Sequence, residues 1–124
     1  MIKLSKSQIL KMHHMLIEKT GGEAGLRDEG LLESAIYSID ASFDDTDLYP
    51  SIPEKAAKLC FSLVNNHAFI DGNKRIGIFA MLVFLESNNI FLSYEQQELI
   101  DLGLGLADGK VSQKELLKWI NEHI

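Results

Sequence analysis

The stretch His67-Ala68-Phe69-Ile70-Asp71-Gly72-Asn73-Lys74-Arg75, continued by Ile76-Gly77-Ile78-Phe79-Ala80-Met81-Leu82-Val83-Phe84-Leu85, decides how the rest of the chain is read. Its second half is apolar all round, too long for a typical buried strand and too short to span a bilayer, and so predicts a central buried helix. Its first half gathers an imidazole, a carboxylate, a carboxamide, an ammonium and a guanidinium around a glycine. Helix packing does not require that density of chemistry. The helical pattern begins at position 73, so the turn Asp71-Gly72-Asn73 delivers free N–H groups to a helix N-terminus, where orphan donors and the dipole favour an anion. Lys74 and Arg75 add full positive charge there. The combination suits a phosphate-bearing ligand, with Asp71 available to a divalent cation and His67 able to take a proton near neutral pH.

Each of these residues also has a structural alternative. His67 follows a helix and could cap it, Asp71 could be an ordinary helix cap, and Asn73 could donate to a phosphate oxygen or merely cap the buried helix. Phe69 is a core anchor in either case. Gly72 lets a ligand approach the backbone closely. Arg75 offers a planar fork suited to phosphate, and Lys74 a compact point charge.

Working outward from the stretch, Ser51-Ile52-Pro53-Glu54 reads as a helix start with proline in the first turn, and Ala56, Ala57, Leu59, Cys60, Leu63 and Val64 carry that helix toward Asn66. Ahead of it, residues 41 to 50 break into an acidic loop with Phe43, Leu48 and Tyr49, which on the residues alone reads as a surface loop pinned by Phe43 and Tyr49. Asp28 can cap a helix carrying Leu31, Leu32, Ala35, Ile36 and Ile39, and Arg27 before it is read as structural or solvated in preference to phosphate-binding. Ser5 and Gln8 form a capping box for a first helix that Thr20-Gly21-Gly22 stops. Within it, His13, His14 and Glu18 offer at most two metal ligands on one face, so a surface or core role is expected.

Beyond the stretch, Asn88-Asn89 ends the central helix, and Ile90-Phe91-Leu92 leaves room for a short β pairing. Ser93 with Gln96 predicts the next helix, with Leu99, Ile100, Leu102 and Leu106, and Ser112 with Glu115 the last, with Leu116, Leu117, Trp119 and Ile120. The expected fold is all-α, a bundle of about six or seven helices around the central one, with residues 1–124 as one domain.

Composition narrows the function. Hydrophobic residues at 46% and charged residues at 24% describe an ordinary folded chain, and a net charge of −6 argues against a nucleic-acid binder. No segment has the apolar length of a membrane span and no secretory signal opens the chain, which makes the cytoplasm the expected location. The single cysteine, Cys60, has no disulfide partner and falls in an apolar helical pattern.

His67, Phe69, Asp71, Gly72, Asn73, Lys74 and Arg75 together resemble the Fic/Doc family pattern H-x-F-x-(D/E)-G-N-(G/K)-R, and Gly21-Gly22 and Asp28-Glu29-Gly30 extend the likeness upstream. Where relatives that transfer AMP usually carry glycine after the asparagine and a further arginine three residues beyond the first, this chain has Lys74 and Ile78. Both departures point to the Doc branch. Many relatives have proline where this chain has Ala68, and in the family the region matching residues 41 to 50 lies near the active-site groove, so the resemblance implies for that loop the alternative of docking a protein target.

The resemblance implies transfer of the γ-phosphate of ATP to a protein hydroxyl, by likeness a threonine of elongation factor Tu, so that translation stalls. It implies His67, Asp71, Lys74 and Arg75 as catalytic residues, Gly72, Asn73, Lys74 and Arg75 as the ATP-binding set, and Asp71 as the Mg²⁺ ligand. An AMP transferase on the same scaffold, or a non-catalytic module that binds nucleotide or a partner, are the alternatives. Relatives that restrain themselves carry an inhibitory (S/T)-x-x-x-E-(G/N) helix. The only glutamate here followed by glycine or asparagine is Glu29, four residues after Gly25. Restraint is therefore expected in trans, from an antitoxin resembling Phd.

Overall fold

The capping signals translate directly into helices. In the computed structural model, which describes residues 1–124, α1 (Lys6–Thr20) starts at Ser5, whose hydroxyl accepts the Gln8 amide at 3.1 Å while the Gln8 side chain accepts the Ser5 amide at 2.8 Å. Asp28 caps α2 (Glu29–Tyr37), which runs into a 3₁₀ turn, Ser38–Asp40. Ser51 caps α3 (Ile52–Asn66), with Pro53 in its first turn. The long apolar pattern becomes α4 (Asn73–Ser87), followed by α5 (Gln96–Ala107) and α6 (Gln113–Glu122), the last opened by the Ser112 and Glu115 box. Caps of this kind contribute about 1 kcal/mol each.

The fold is all-α but for one small hairpin, with six α-helices as expected. A contiguous core of 23 buried apolar residues draws on all six, with Ile9, Leu32, Leu63, Ile76, Leu106 and Ile120 among its members. α3 lies against α2, α4 and α6, and α4 also meets α1 and α5. Gly77 lets α3 and α4 approach closely, since a Cβ there would sit 2.6 Å from Val64 Cγ2 and 3.2 Å from the Cys60 carbonyl. Cys60 is fully buried in that seam, and burial pushes its thiol pKa well up. No helix is long and apolar enough to cross a membrane.

Four details differ from the sequence reading. α5 begins at Gln96 with Glu95 as its cap, after the expected Ser93, because the Ser93 amide donates to the His123 carbonyl at 2.8 Å and ties the connecting segment to the end of α6. The β pairing left open near Ile90–Leu92 does not form. Asn89 takes a left-handed turn (φ 64°) and the Ile90 amide closes back on the Leu85 carbonyl at 2.9 Å. Pairing occurs instead in the acidic loop, where β1 (Ser42–Phe43) meets β2 (Thr46–Asp47) in antiparallel register. Phe43 pins nothing there, being 77% exposed.

Finally, the central helix is not covered on every side. Ile76, Ala80, Met81, Phe84 and Leu85 are buried, whereas Ile78, Phe79 and Leu82 are only partly covered and line an open groove.

Candidate functional site

α3 ends at His67, which takes the left-handed conformation (φ 52°, ψ 47°) uncommon for a residue with a side chain. Its imidazole is exposed and makes no hydrogen bond within the chain. The loop that follows is held by its own backbone. Phe69 forms an isolated antiparallel bridge with Leu26, and the Ile70 amide donates to the Gly25 carbonyl at 3.1 Å. The Asn73 carboxamide clamps the loop from the other side, accepting from the Phe69 amide at 3.0 Å and donating to the Phe69 carbonyl at 2.9 Å. Both ends of the Asn73 side chain are thus engaged in shaping the loop. Neither caps α4, and what Asn73 offers the cleft is its backbone amide.

His13 supports the loop from below. It is 3% exposed, stacks on Phe69 with ring centroids 3.8 Å apart, and its Nε2–H donates to the Asp71 carbonyl at 2.7 Å. Burial lowers its pKa, partly offset by that carbonyl, which favours the neutral ring. Its neighbour His14 turns outward and lies 3.0 Å from Glu18.

Asp71 is fixed by backbone donors. Oδ2 accepts the Glu23 amide at 3.1 Å and Oδ1 the Gly72 amide at 2.8 Å, with Arg75 Nη2 3.5 Å away. The two amides, and then Arg75, hold its pKa below the usual carboxylate value. Gly22 must be glycine for this arrangement. Its φ is +113° and a Cβ there would lie 2.5 Å from Asp71 Oδ2.

Whereas α1, α2, α3 and α6 begin with a Ser or Asp oxygen accepting an amide, α4 begins with Gly72 (φ 78°), which brings no side chain. The amides of Asn73, Lys74 and Arg75 lack intrahelical acceptors, as at any helix start, and no side chain takes their place. Arg75 is braced by Thr20 Oγ1 and the Gly21 carbonyl, the latter at 2.8 Å. Lys74 forms no ion pair, and its stem passes over Gly103 of α5.

His67, Asp71, Gly72, Asn73, Lys74 and Arg75 line one cleft of about 300 Å³. All the residues expected at the site therefore share one opening, and no hydrogen bond within the chain engages either ring nitrogen of His67. No set of three or more metal-ligating side chains is assembled anywhere. The single Asp71 carboxylate fits Mg²⁺ that takes its other ligands from phosphate oxygens and water, not a free-standing metal site. Beside the cleft runs an apolar groove of about 500 Å³, lined by Leu16, Ile78, Phe79, Leu82, Leu99 and Ile100, with Lys74 and Arg75 at the shared edge.

Residues 3–85 match the Fic/DOC family. Toxin Doc of Mycolicibacterium smegmatis is 44% identical over 73 residues, 59% of this chain and 56% of that protein. Protein kinase doc of Escherichia phage P1 is 30% identical over 112 residues, 88% of this chain and 85% of that protein. The chain belongs to the Fic/Doc family. Both relatives carry the Doc name, in keeping with Lys74 and Ile78 in the motif.

Within this Fic/Doc chain, the position where many relatives have proline, Ala68, is fully buried and its carbonyl accepts two amides, from Arg27 at 2.7 Å and Asp28 at 2.9 Å. The sequence reading missed the parts played by His13, Thr20 and Glu23, whose contributions run through a ring nitrogen, a hydroxyl and a backbone amide. Only the Gly21-Gly22 pair hinted at them. Arg27 pairs with no carboxylate and donates instead to the carbonyls at the end of α3.

Proposed function

We propose that this chain is a Doc-type toxin that transfers the γ-phosphate of ATP to a hydroxyl of a protein target, a threonine of elongation factor Tu by family resemblance, and so halts translation. One observation carries the reading: an uncapped helix start flanked by Lys74 and Arg75 shares a single cleft with a free imidazole. Amides with no protein acceptor, next to two cations, favour a polyphosphate over any neutral ligand. The adjacent imidazole supplies the one proton acceptor the transfer needs.

In this reaction His67 takes the proton of the attacking hydroxyl. The target oxygen bonds to the γ-phosphorus while the bond from that phosphorus to the β–γ bridging oxygen breaks, leaving ADP. The amides of Asn73 to Arg75, with the Lys74 ammonium and the Arg75 guanidinium, hold the phosphates and offset charge on the transferring oxygens. Gly72 leaves the backbone open to them, and Asn73 keeps the loop shaped so that its own amide faces out. Asp71 would hold Mg²⁺, which would supply charge neutralisation to the phosphate chain. Thr20 and Gly21 restrict Arg75, so its orientation is fixed before ATP arrives.

An antitoxin resembling Phd restrains the enzyme in this account. The apolar groove along α4 and α5 suits one face of an amphipathic segment, and its edge ends at Lys74 and Arg75, so an occupant there would crowd the cleft.

ATP labelled at either the α or the γ position, incubated with the chain and elongation factor Tu, tests the proposal. Label from the γ position should appear on the target and vanish with His67→Ala. Transfer of α-label would make the chain an AMP transferase, and activity that survives His67→Ala would remove the proton acceptor from the mechanism.

A further inference from the structure

We infer that Arg27 is a positioning residue for His67, clamping the end of α3 so that the unsupported imidazole stays turned into the cleft. The inference rests on the reading of His67 as the proton acceptor. It begins from what the imidazole lacks. With no hydrogen bond of its own, the ring can be aimed only by the backbone that carries it. That backbone is left-handed at a residue that is not glycine, a conformation that persists where its surroundings over-determine it. A return to ordinary helical angles would redirect the Cα–Cβ bond, and the ring with it.

Arg27 supplies the restraint. Its Nε–H donates to the His67 carbonyl at 2.7 Å and an Nη2–H to the Asn66 carbonyl at 3.4 Å, satisfying two orphan acceptors at the end of α3. α3 has no basic residue in its own last turn, so this guanidinium is the cation that answers the negative end of its dipole. The root of the side chain is anchored to the same loop. The Arg27 amide donates to the Ala68 carbonyl at 2.7 Å, and the adjoining Asp28 amide to the same oxygen at 2.9 Å. Main chain and side chain of one residue thus hold consecutive carbonyls, of Asn66, His67 and Ala68. A planar fork can span two of them at once, whereas a lysine ammonium is a point donor.

The test compares Arg27→Ala, Arg27→Gln and Arg27→Lys with the unmodified chain, measuring kcat and the KM for ATP together with the His67 ring signals by NMR. Arg27 lies exposed at the surface and outside the core, so the variants should fold, which a thermal melt of each one checks. Arg27→Ala should lower kcat about ten- to a hundredfold, the scale of a misplaced catalytic group, and leave the KM for ATP unchanged because the phosphate seat is on α4. Arg27→Lys should recover part of the loss, and in Arg27→Ala the His67 ring signals should move to the averaged positions of a freely rotating imidazole.

An unchanged kcat in Arg27→Ala would overturn the inference, as would a raised KM for ATP at full kcat, which would put the guanidinium on the nucleotide. If the unmodified chain transfers nothing from ATP, the proposed function falls. The NMR comparison still decides the role of Arg27 in that case, since ring signals indifferent to the substitution would exclude it.

Discussion

His13 lies beneath the site loop, and the loop depends on it from two directions: its ring stacks on Phe69 and its Nε2–H donates to the Asp71 carbonyl. Replacing it with alanine should cost about 2–3 kcal/mol, from the lost stacking and a carbonyl left without its donor. The pH dependence of that cost has a definite sign. Because burial holds the folded pKa below the ordinary imidazole value of 6.5, the unfolded chain takes up the proton first. The contribution of His13 is therefore complete above 6.5 and shrinks as pH falls from there toward the depressed value. Urea unfolding at stepped pH should give His13→Ala a flatter stability profile on the acidic side than the unmodified chain, and parallel profiles would contradict this. The same residue shows what a sequence conceals. His67, Asp71, Lys74 and Arg75 were legible because their chemistry is crowded into nine consecutive positions. His13 acts on a carbonyl 58 residues away and Arg27 on one 40 residues away, and neither pattern nor spacing announces a side chain whose partner is backbone.

At the scale of elements, the site is a junction of two helix ends, the C-terminus of α3 and the N-terminus of α4, closed on one side by α5. Gly103 of α5 touches the site through Lys74. A Cβ at that position would stand 3.0 Å from Lys74 Cγ and 3.2 Å from Cδ, so the lysine stem would have to move to admit it. Alanine in a helix interior is otherwise favoured over glycine by roughly 0.5–1 kcal/mol. Gly103→Ala should consequently leave thermal stability within about 1 kcal/mol of the unmodified chain while weakening ATP binding several-fold. Isothermal titration alongside a thermal melt separates the two effects, and equal loss in both would reduce Gly103 to a packing residue. The helices themselves were readable from Ser5, Asp28, Ser51 and Ser112, each a side-chain cap in the structure. The start of α5 was not, because Ser93 is committed to the far end of α6. The β1–β2 hairpin escaped for another reason: strands of two residues carry no alternation to read.

Across the whole molecule, charge is arranged with a purpose that composition alone obscures. A chain with net charge −6 gathers Lys74, Arg75 and the uncapped amides of α4 at one cleft, a local positive spot on an acidic body. A second long-range contact closes the bundle elsewhere. His123, at the end of α6, stacks on Trp119 and places its ring nitrogens 2.6 Å from Glu98 Oε2 of α5 and 2.6 Å from the Trp119 carbonyl. Both partners only accept, so the ring is satisfied when doubly protonated, and Glu98 first, then the carbonyl, raises its pKa above 6.5. This contribution is fully present below 6.5 and lost as pH rises through the raised folded value, the reverse of His13. From these two imidazoles stability should accordingly peak near 6.5, because the His13 contribution is lost as pH falls below that value and the His123 contribution as pH rises above it. His123→Gln should flatten the alkaline side of that peak, which denaturation at stepped pH would reveal.

The central claim, that phosphate sits on the open start of α4 within reach of His67, is tested most directly by following backbone amide signals while ATP and Mg²⁺ are titrated in. The largest shifts should fall on Asn73, Lys74 and Arg75, with the His67 ring responding at the same concentration. Saturable shifts centred elsewhere, or none at these amides, would contradict it.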